Sequence, residues 1–273
     1  MRQRVFITGG ASGLGKALAL RYARDGARVC IGDLNAEAGE SVAFEIEQLG
    51  GEGCFTPCDV RRIGDLEKAR DLLEQRWGGV DIVVNNAGVA AAGRIEETSI
   101  ADWEWILDIN VLGVVRGCKV FTPFFKMQGH GHFVNVASMA GLMLAPLMSS
   151  YNVSKAGVIA LSETLRQELD DDGIGISCVC PAFFQTNLTD SMRSAVPGIQ
   201  QNVNKLMKRS SITADDVAEA IHSAVVKGDF WVLPHVNERR LWYVKRYTPK
   251  VFDWLMHQES KRWMRKYGKA AQA

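Results

Sequence analysis

The sequence predicts an α/β fold built on one doubly wound parallel sheet, and three observations predict it. Short β-branched apolar runs alternate with amphipathic stretches along the chain. The runs are apolar at almost every position, the pattern of strands covered on both faces rather than one. A glycine-rich turn joins the first run to the first amphipathic stretch, at residues 9–15.

The runs at 5–8, 29–32, 82–84, 133–137 and 176–179 are the candidate strands, and 14–25, 35–49, 64–77, 102–126, 152–171 and 213–227 the candidate helices. Right-handed crossovers between parallel strands then place helices on both faces of the sheet. No Pro/Ser-rich linker divides residues 1–235, which read as one domain, and 236–273 read as a basic, aromatic, helical extension. Residues 187–212 depart from the alternation: they are polar and irregular, and an excursion of this length often covers a site. Residues 127–154 contain no Asp, Glu, Lys or Arg. Asn135, Pro146 and Asn152 interrupt them, so a strand and a polar-tipped loop are expected there rather than a membrane span.

Composition excludes several classes. The 273 residues carry 32 Lys+Arg against 31 Asp+Glu, with 47% apolar and 23% charged residues. Such a chain buries a sizeable core, is not disordered, and lacks the basic footprint of a nucleic-acid binder. The cysteines at 30, 54, 58, 118, 178 and 180 show no Cys-x-x-Cys spacing or neighbouring histidine, so no metal site is expected. The apolar run after Met1 stops at Thr8-Gly9-Gly10, too short for a secretory signal. A cytoplasmic protein with reduced thiols is the expectation.

The first strand runs into Thr8-Gly9-Gly10-Ala11-Ser12-Gly13-Leu14-Gly15. Glycines at 9, 13 and 15 permit a tight turn, close approach of a pyrophosphate and close helix packing. The following helix offers unpaired N–H groups and its positive dipole end. The position of this turn at the first strand-to-helix junction makes it a dinucleotide cradle, and the sheet a Rossmann-like one. Asp33 ends the second strand, where a carboxylate accepts hydrogen bonds from adenosine ribose hydroxyls and repels a 2′-phosphate. Gly32, Leu34 and Asn35 beside it are not basic, so NAD is favoured as cofactor over NADP.

The Gly-x-x-x-Gly-x-Gly spacing resembles the short-chain dehydrogenase/reductase family, in its single-domain branch, over roughly residues 3–235. Further motifs share the resemblance. Asp59-Val60 is similar to the pair that flanks the adenine ring. Asn85-Asn86-Ala87-Gly88 resembles the turn after strand four that steadies the sheet and lines the cofactor pocket. Asn110, Ser138, Tyr151 and Lys155 fall where the family carries its catalytic tetrad. Pro181 and Thr186 resemble the segment that holds the nicotinamide carboxamide, although the family's Pro-Gly reads Pro181-Ala182 here. The resemblance implies that Lys155 grips the nicotinamide ribose and that Asn110 holds a water linking Lys155 to solvent. It also implies a homodimer or homotetramer through the helices near 102–126 and 152–171.

These residues suit the chemistry. Tyr151 and Lys155 stand four apart on a predicted helix and so share a face. A free tyrosine titrates near about 10, above the working range of a general acid/base. The Lys155 ammonium and the positive oxidised nicotinamide should favour phenolate. Tyr151 would take the alcohol proton as hydride leaves for the cofactor, and Ser138 would orient the same oxygen. An apolar alcohol or ketone suits the large side chains that flank the tetrad in sequence: Met139, Leu142, Met143, Met148, Phe183, Phe184 and Leu188. Each of these could equally be core.

The expected reading is therefore an NAD(H)-dependent oxidoreductase acting on a secondary alcohol or ketone. The alternatives are a nucleotide-sensing or scaffold protein that does not turn over, and an NADP(H)-preferring carbonyl reductase. A sugar-nucleotide epimerase needs a larger substrate domain than 38 residues supply. From 236 to 273 there are ten Lys/Arg and three Asp/Glu, against 22 and 28 in the first 235 residues. Phe252, Met256, Trp263 and Tyr267 fall on one helical face, with Pro249 at its start. Packing of that helix on the parent domain or a second subunit is favoured over a membrane interface.

Overall fold

The computed structural model describes residues 2–194 and 196–267. Seven parallel strands form the central sheet. In chain order they are β1 (Arg4–Thr8), β2 (Arg28–Asp33), β3 (Glu52–Pro57), β4 (Ile82–Asn85), β6 (Gly131–Val136), β7 (Ile174–Val179) and β9 (Trp231–Val232). Their spatial order is β3-β2-β1-β4-β6-β7-β9. The short β5 (Ala91–Ala92) and β8 (Arg193–Ser194) pair separately, in parallel.

Alternation along the strands decides which helices cover which face. On β1, Val5 and Ile7 point into one apolar cluster and Phe6 into the other. The Val5 and Ile7 side packs against α1 (Gly13–Arg24), α2 (Ala36–Gln48) and α9 (Ala214–Lys227), through Leu18, Tyr22, Val42, Ile46, Val217 and Ile221. The Phe6 side packs against α3 (Ile63–Trp77), α5 (Gly113–Gln128) and α7 (Ser149–Glu168), through Leu66, Leu73, Phe121, Phe125 and Val158. Sheet positions are thus buried on both sides, which is why the strands read as unbroken apolar runs.

Strand order reverses between β1 and β4. The chain leaves β1 to one side for β2 and β3, then returns to β4 and continues to the other. Such a reversal opens a crevice beyond the carboxyl ends of the two strands. The remaining helices surround that crevice: α4 (Ile100–Leu107), α6 (Met139–Met143), α8 (Ile199–Arg209), α10 (Val236–Tyr247) and α11 (Pro249–Tyr267).

Four departures from expectation have physical causes. Strand β3 was not expected: it is an edge strand, so it tolerates Glu52 and a terminal Pro57. Strand β9, at the other edge, is only two residues long. Residues 187–212 are not irregular throughout. They contain a 3-10 turn at Asn187–Thr189 and the helix α8, whose buried Ile199, Val203 and Met207 form a narrow apolar stripe, flanked by the partly buried Leu206, on a mostly polar helix. The helix expected over 102–126 is interrupted by a π-turn at Asp108–Leu112, where the Gly113 N–H reaches back to the Asp108 carbonyl.

The extension is two helices rather than one. Trp242 of α10 packs on Trp231, with ring centroids 5.2 Å apart, and Phe252 of α11 is buried. Trp263 and Met264 pack against the cluster that holds Tyr151. The Lys245 ammonium donates to the Leu142 carbonyl. Residues 268–273 of the expected extension, and the side chain of Tyr267, lie outside the described residues. No helix among the described residues is long and apolar enough to cross a membrane.

Candidate active site

The ends of β1 and β4 are stitched together first. The Thr8 hydroxyl donates to the Val84 carbonyl (3.2 Å) and accepts the amides of Asn86 (3.1 Å) and Ala87 (3.2 Å). The Asn86 side-chain amide donates to the carbonyls of Thr8 (3.0 Å) and Gly9 (2.9 Å). This lattice fixes the glycine turn against the 86–88 segment. Gly9 adopts φ +64°, and a Cβ there would stand 2.9 Å from the Ala87 Cα. At Gly15 a Cβ would run into the Gly9 carbonyl, so Gly15 serves packing and does not reach the cleft wall.

A cleft of about 730 Å³ opens above the strand reversal. Its walls include Gly9, Ser12, Gly13, Leu14, Asp33, Asp59, Val60, Asn86, Ala87, Gly88, Pro181 and Thr186, the residues expected around a dinucleotide. The cradle fits a pyrophosphate. Helix α1 has no acidic residue in its first turn, and the Ser12 hydroxyl does not cap it, so the helix end carries no anion of its own. At Gly13 (φ +51°) a Cβ would sit 2.9 Å from the Thr186 hydroxyl oxygen, so any larger residue would fill the space. The Asp33 carboxylate accepts one N–H on each oxygen, from Ala11 (3.0 Å) and Asn35 (3.0 Å). That leaves lone pairs on both oxygens for further donors.

Met139, Met148, Phe183, Phe184 and Leu188, together with Ser138, Tyr151 and Lys155, lie on the wall of the same cleft. Ser138 ends the segment after β6. Its hydroxyl accepts the Ala140 N–H (3.1 Å), which caps α6, and donates to the Pro181 carbonyl (3.4 Å). Tyr151 lies in the first turn of α7, which starts three residues earlier than the sequence suggested. The loop before it holds Leu144 and Leu147 at φ +56° and +64°, an uncommon backbone conformation for leucine.

The electrostatics differ from expectation. Burial pushes the Tyr151 phenol up from its ordinary value, and only the Ser138 hydroxyl draws it down. The Lys155 ammonium is not aimed at that hydroxyl. It donates to the Val136 carbonyl (2.9 Å) and lies 5.9 Å from the centre of the Tyr151 ring. Burial lowers Lys155 to about 8. The chain alone therefore does not prime the phenol.

Asn110 is fully buried behind the wall, in the π-turn. Its side chain accepts the Val89 N–H (2.8 Å) and donates to the Val89 carbonyl (2.9 Å) and the Ser154 hydroxyl (3.0 Å). Both its donors are taken, so the amide braces the 88–89 segment against α7, and its side-chain N–H groups are not free to hold a water.

Sequence reasoning missed several groups. His235, 5% exposed, binds the loop after β7: its Nδ1 accepts the Ala182 N–H (3.2 Å) and its Nε2 faces the Phe183 carbonyl (3.1 Å). Glu238, Leu241 and Met256 bring α10 and α11 onto the cleft wall. Arg61 also lines the cleft, but Asp59 holds its guanidinium by contacts of 3.0 and 2.7 Å. A lone histidine 52 residues beyond the loop it serves gives no sequence signal. The departure Pro181-Ala182 was the available hint that this loop needed another support.

Comparison with known proteins agrees with this architecture. The family model for short chain dehydrogenase matches residues 3–197. The probable oxidoreductase EphD of Mycobacterium tuberculosis is 35% identical over 232 residues, which is 82% of this chain; the chain spans 39% of EphD's length. A short chain dehydrogenase/reductase from Burkholderia phymatum, solved in complex with NAD, is 30% identical with a TM-score of 0.86, over 92% of this chain and 95% of its own. An alcohol dehydrogenase from the archaeon Thermococcus sibiricus, complexed with 5-hydroxy-NADP, is 27% identical with a TM-score of 0.74, over 85% of this chain and 96% of its own.

Proposed function

The chain belongs to the short-chain dehydrogenase/reductase family, and from that premise we propose that it transfers a hydride between NAD(H) and a secondary alcohol or ketone with an apolar body. Tyr151 is the general acid and base of this reading. The observation that carries it is the convergence of Ser138, Tyr151 and Lys155 on one wall of the cleft whose opposite end is the glycine cradle.

Gly9, Ser12, Gly13 and Leu14 would hold the pyrophosphate, Asp33 the adenosine ribose, Lys155 the second ribose, and the Pro181 and Thr186 segment the nicotinamide carboxamide. Asp33 favours NAD because a 2′-phosphate would meet its carboxylate, while the nearby Arg61 is already neutralised by Asp59. The bound nicotinamide supplies the hydride acceptor or donor. Tyr151 carries the proton: its phenol donates to a carbonyl oxygen in reduction, and its phenolate takes the alcohol proton in oxidation. Burial keeps the phenol protonated in the free protein, so readiness to act as a base depends on positive charge gathered when the cleft fills. Ser138 is held by the Ala140 N–H and the Pro181 carbonyl on the same wall as the phenol, so it fixes where the substrate oxygen sits.

Met139, Met148, Phe184 and Leu188 supply an apolar bed, joined by Leu241 and Met256 from the extension. Assembly into a dimer or tetramer belongs to the same reading: Leu112 and Val153 stay exposed on the segments expected to pair.

Screening secondary alcohols with NAD and NADP in parallel, at the NADH absorbance band, tests the proposal. Turnover of apolar alcohols with NAD is expected. Tyr151→Phe should abolish it while NADH still binds, and turnover that survives this substitution would sink the assignment.

A further inference from the structure

We propose that the outward face of α11 docks on an anionic lipid bilayer. The helix has two faces. Phe252, Met256, Trp263 and Met264 recur at helical spacing and turn toward the protein, where Phe252 is buried and Met256 reaches the cleft. That face is satisfied. The opposite face carries Val251, Trp254 and Leu255, which are 52%, 62% and 37% exposed. A tryptophan left in water beside two aliphatic residues is the composition of an interfacial anchor.

The charge on that face fits one occupant. By the 3.6-residue period, Lys250, Lys261, Arg262 and Arg265 share the outward side with Trp254. Arg262 is held by Glu259 at 2.5 Å, and the other three have no acidic partner among the described residues. The segregation extends over the chain: residues 236–273 carry ten Lys/Arg and three Asp/Glu, while residues 1–235 carry 22 and 28. An anionic surface attracts the extension and repels the body, so the field orients the molecule as well as binding it. A second copy of the chain fits poorly, because a two-fold contact through this face sets basic residue against basic residue.

The consequence is geometric. Met256 lines the cleft and Trp254 stands two residues away on the outer side of the same helix. The width of α11 alone thus separates the catalytic cleft from the lipid, a short route for an apolar substrate that partitions into the bilayer. Only this last step rests on the proposed hydride transfer; the docking does not.

The test is sedimentation of the full-length chain with vesicles of phosphatidylcholine alone and with added phosphatidylserine. The protein is expected to pellet with the anionic vesicles and to be released by salt. Lys261→Glu/Arg265→Glu and Val251→Ser/Trp254→Ser should each weaken binding roughly tenfold or more, with unchanged thermal unfolding. Wild-type protein left in the supernatant would overturn the proposal. So would equal binding by both variants, or a wild-type dimer by light scattering that Trp254→Ser dissociates. The readout needs no turnover, so its failure is distinguishable from failure of the oxidoreductase reading.

Discussion

The His235 ring bridges two consecutive residues of the loop after β7, accepting the Ala182 N–H at Nδ1 (3.2 Å) and facing the Phe183 carbonyl with Nε2 (3.1 Å). An acceptor at Nδ1 leaves the proton on Nε2, so both contacts are made by one neutral tautomer. The residue also opens α10, whose Arg239 N–H bonds the His235 carbonyl (2.9 Å). The residue that leads into the extension thus holds the segment that, by resemblance, seats the nicotinamide.

His235→Phe keeps the ring and removes both polar partners. Each orphaned backbone group costs about 1–3 kcal/mol when buried. The cofactor KM is expected to rise by about tenfold or more, with a smaller fall in kcat, because the loop positions the nicotinamide and does no chemistry. His235→Gln, which offers a donor and an acceptor, should recover part of the loss. Steady-state kinetics with NAD varied would check this; equal loss in both variants would mean that the ring's packing matters and its hydrogen bonds do not.

Cofactor preference should invert at two positions. Asp33 already accepts two amides and sits on the cleft wall, and Leu34 beside it is 71% exposed. Asp33→Ser/Leu34→Arg removes the carboxylate and adds a guanidinium suited to a phosphate. The ratio of kcat/KM for NADP over NAD is expected to rise by about a hundredfold or more, the scale of a charge repulsion exchanged for an attraction. Kinetics with both cofactors on one alcohol decide it.

Lys155 predicts two opposed pH effects. Burial holds it at about 8 in the folded, cofactor-free protein, below the usual lysine value of 10.5. Between those values the unfolded chain binds a proton that the folded chain does not, so stability rises with pH across that window, by up to about 3 kcal/mol. If the ammonium grips the ribose, NADH affinity falls over the same rise. Denaturant midpoints and NADH fluorescence titrations from neutral pH upward should move in opposite directions, and both trends should flatten in Lys155→Met.

What the sequence disclosed follows the chemistry that requires contiguity. The cradle needs Gly9, Gly13 and Gly15 within seven residues, and the Tyr151–Lys155 pair needs one helical turn, so both are visible as spacing. Asp33 is visible because a strand end is visible. The partners of His235 and Met256 were hidden: the apolar face that carries Met256 was legible, but tertiary packing alone brings it to the cleft and His235 to the loop after β7. Helix α8 was hidden because a stripe of Ile199, Val203 and Met207 is too thin to stand out from its polar neighbours. The direction of the Tyr151 shift was also hidden. Charge proximity can be guessed from an i, i+4 pair, but burial cannot, and burial is the larger effect.

Acid sensitivity should centre on His132, far from the cleft. The ring is packed over Gly175, where a Cβ would run into it, and its Nε2 meets the Ser177 hydroxyl at 2.9 Å. Ser177 in turn donates to the Asp229 carbonyl (2.7 Å), so its oxygen accepts from the imidazole and fixes the proton on Nε2. Burial lowers His132 to about 4, against an ordinary value of 6.5. As pH falls between those values the unfolded chain takes up a proton that the folded one refuses. Stability is therefore complete above 6.5 and declines toward 4, by up to about 3 kcal/mol. The buried His222, lowered in the same direction by desolvation, adds to the slope. His132→Phe preserves an aromatic ring over Gly175 and removes the titration. Urea midpoints measured on either side of pH 5.5 should then draw closer together than in the wild type, and an unchanged gap would assign the acid response elsewhere.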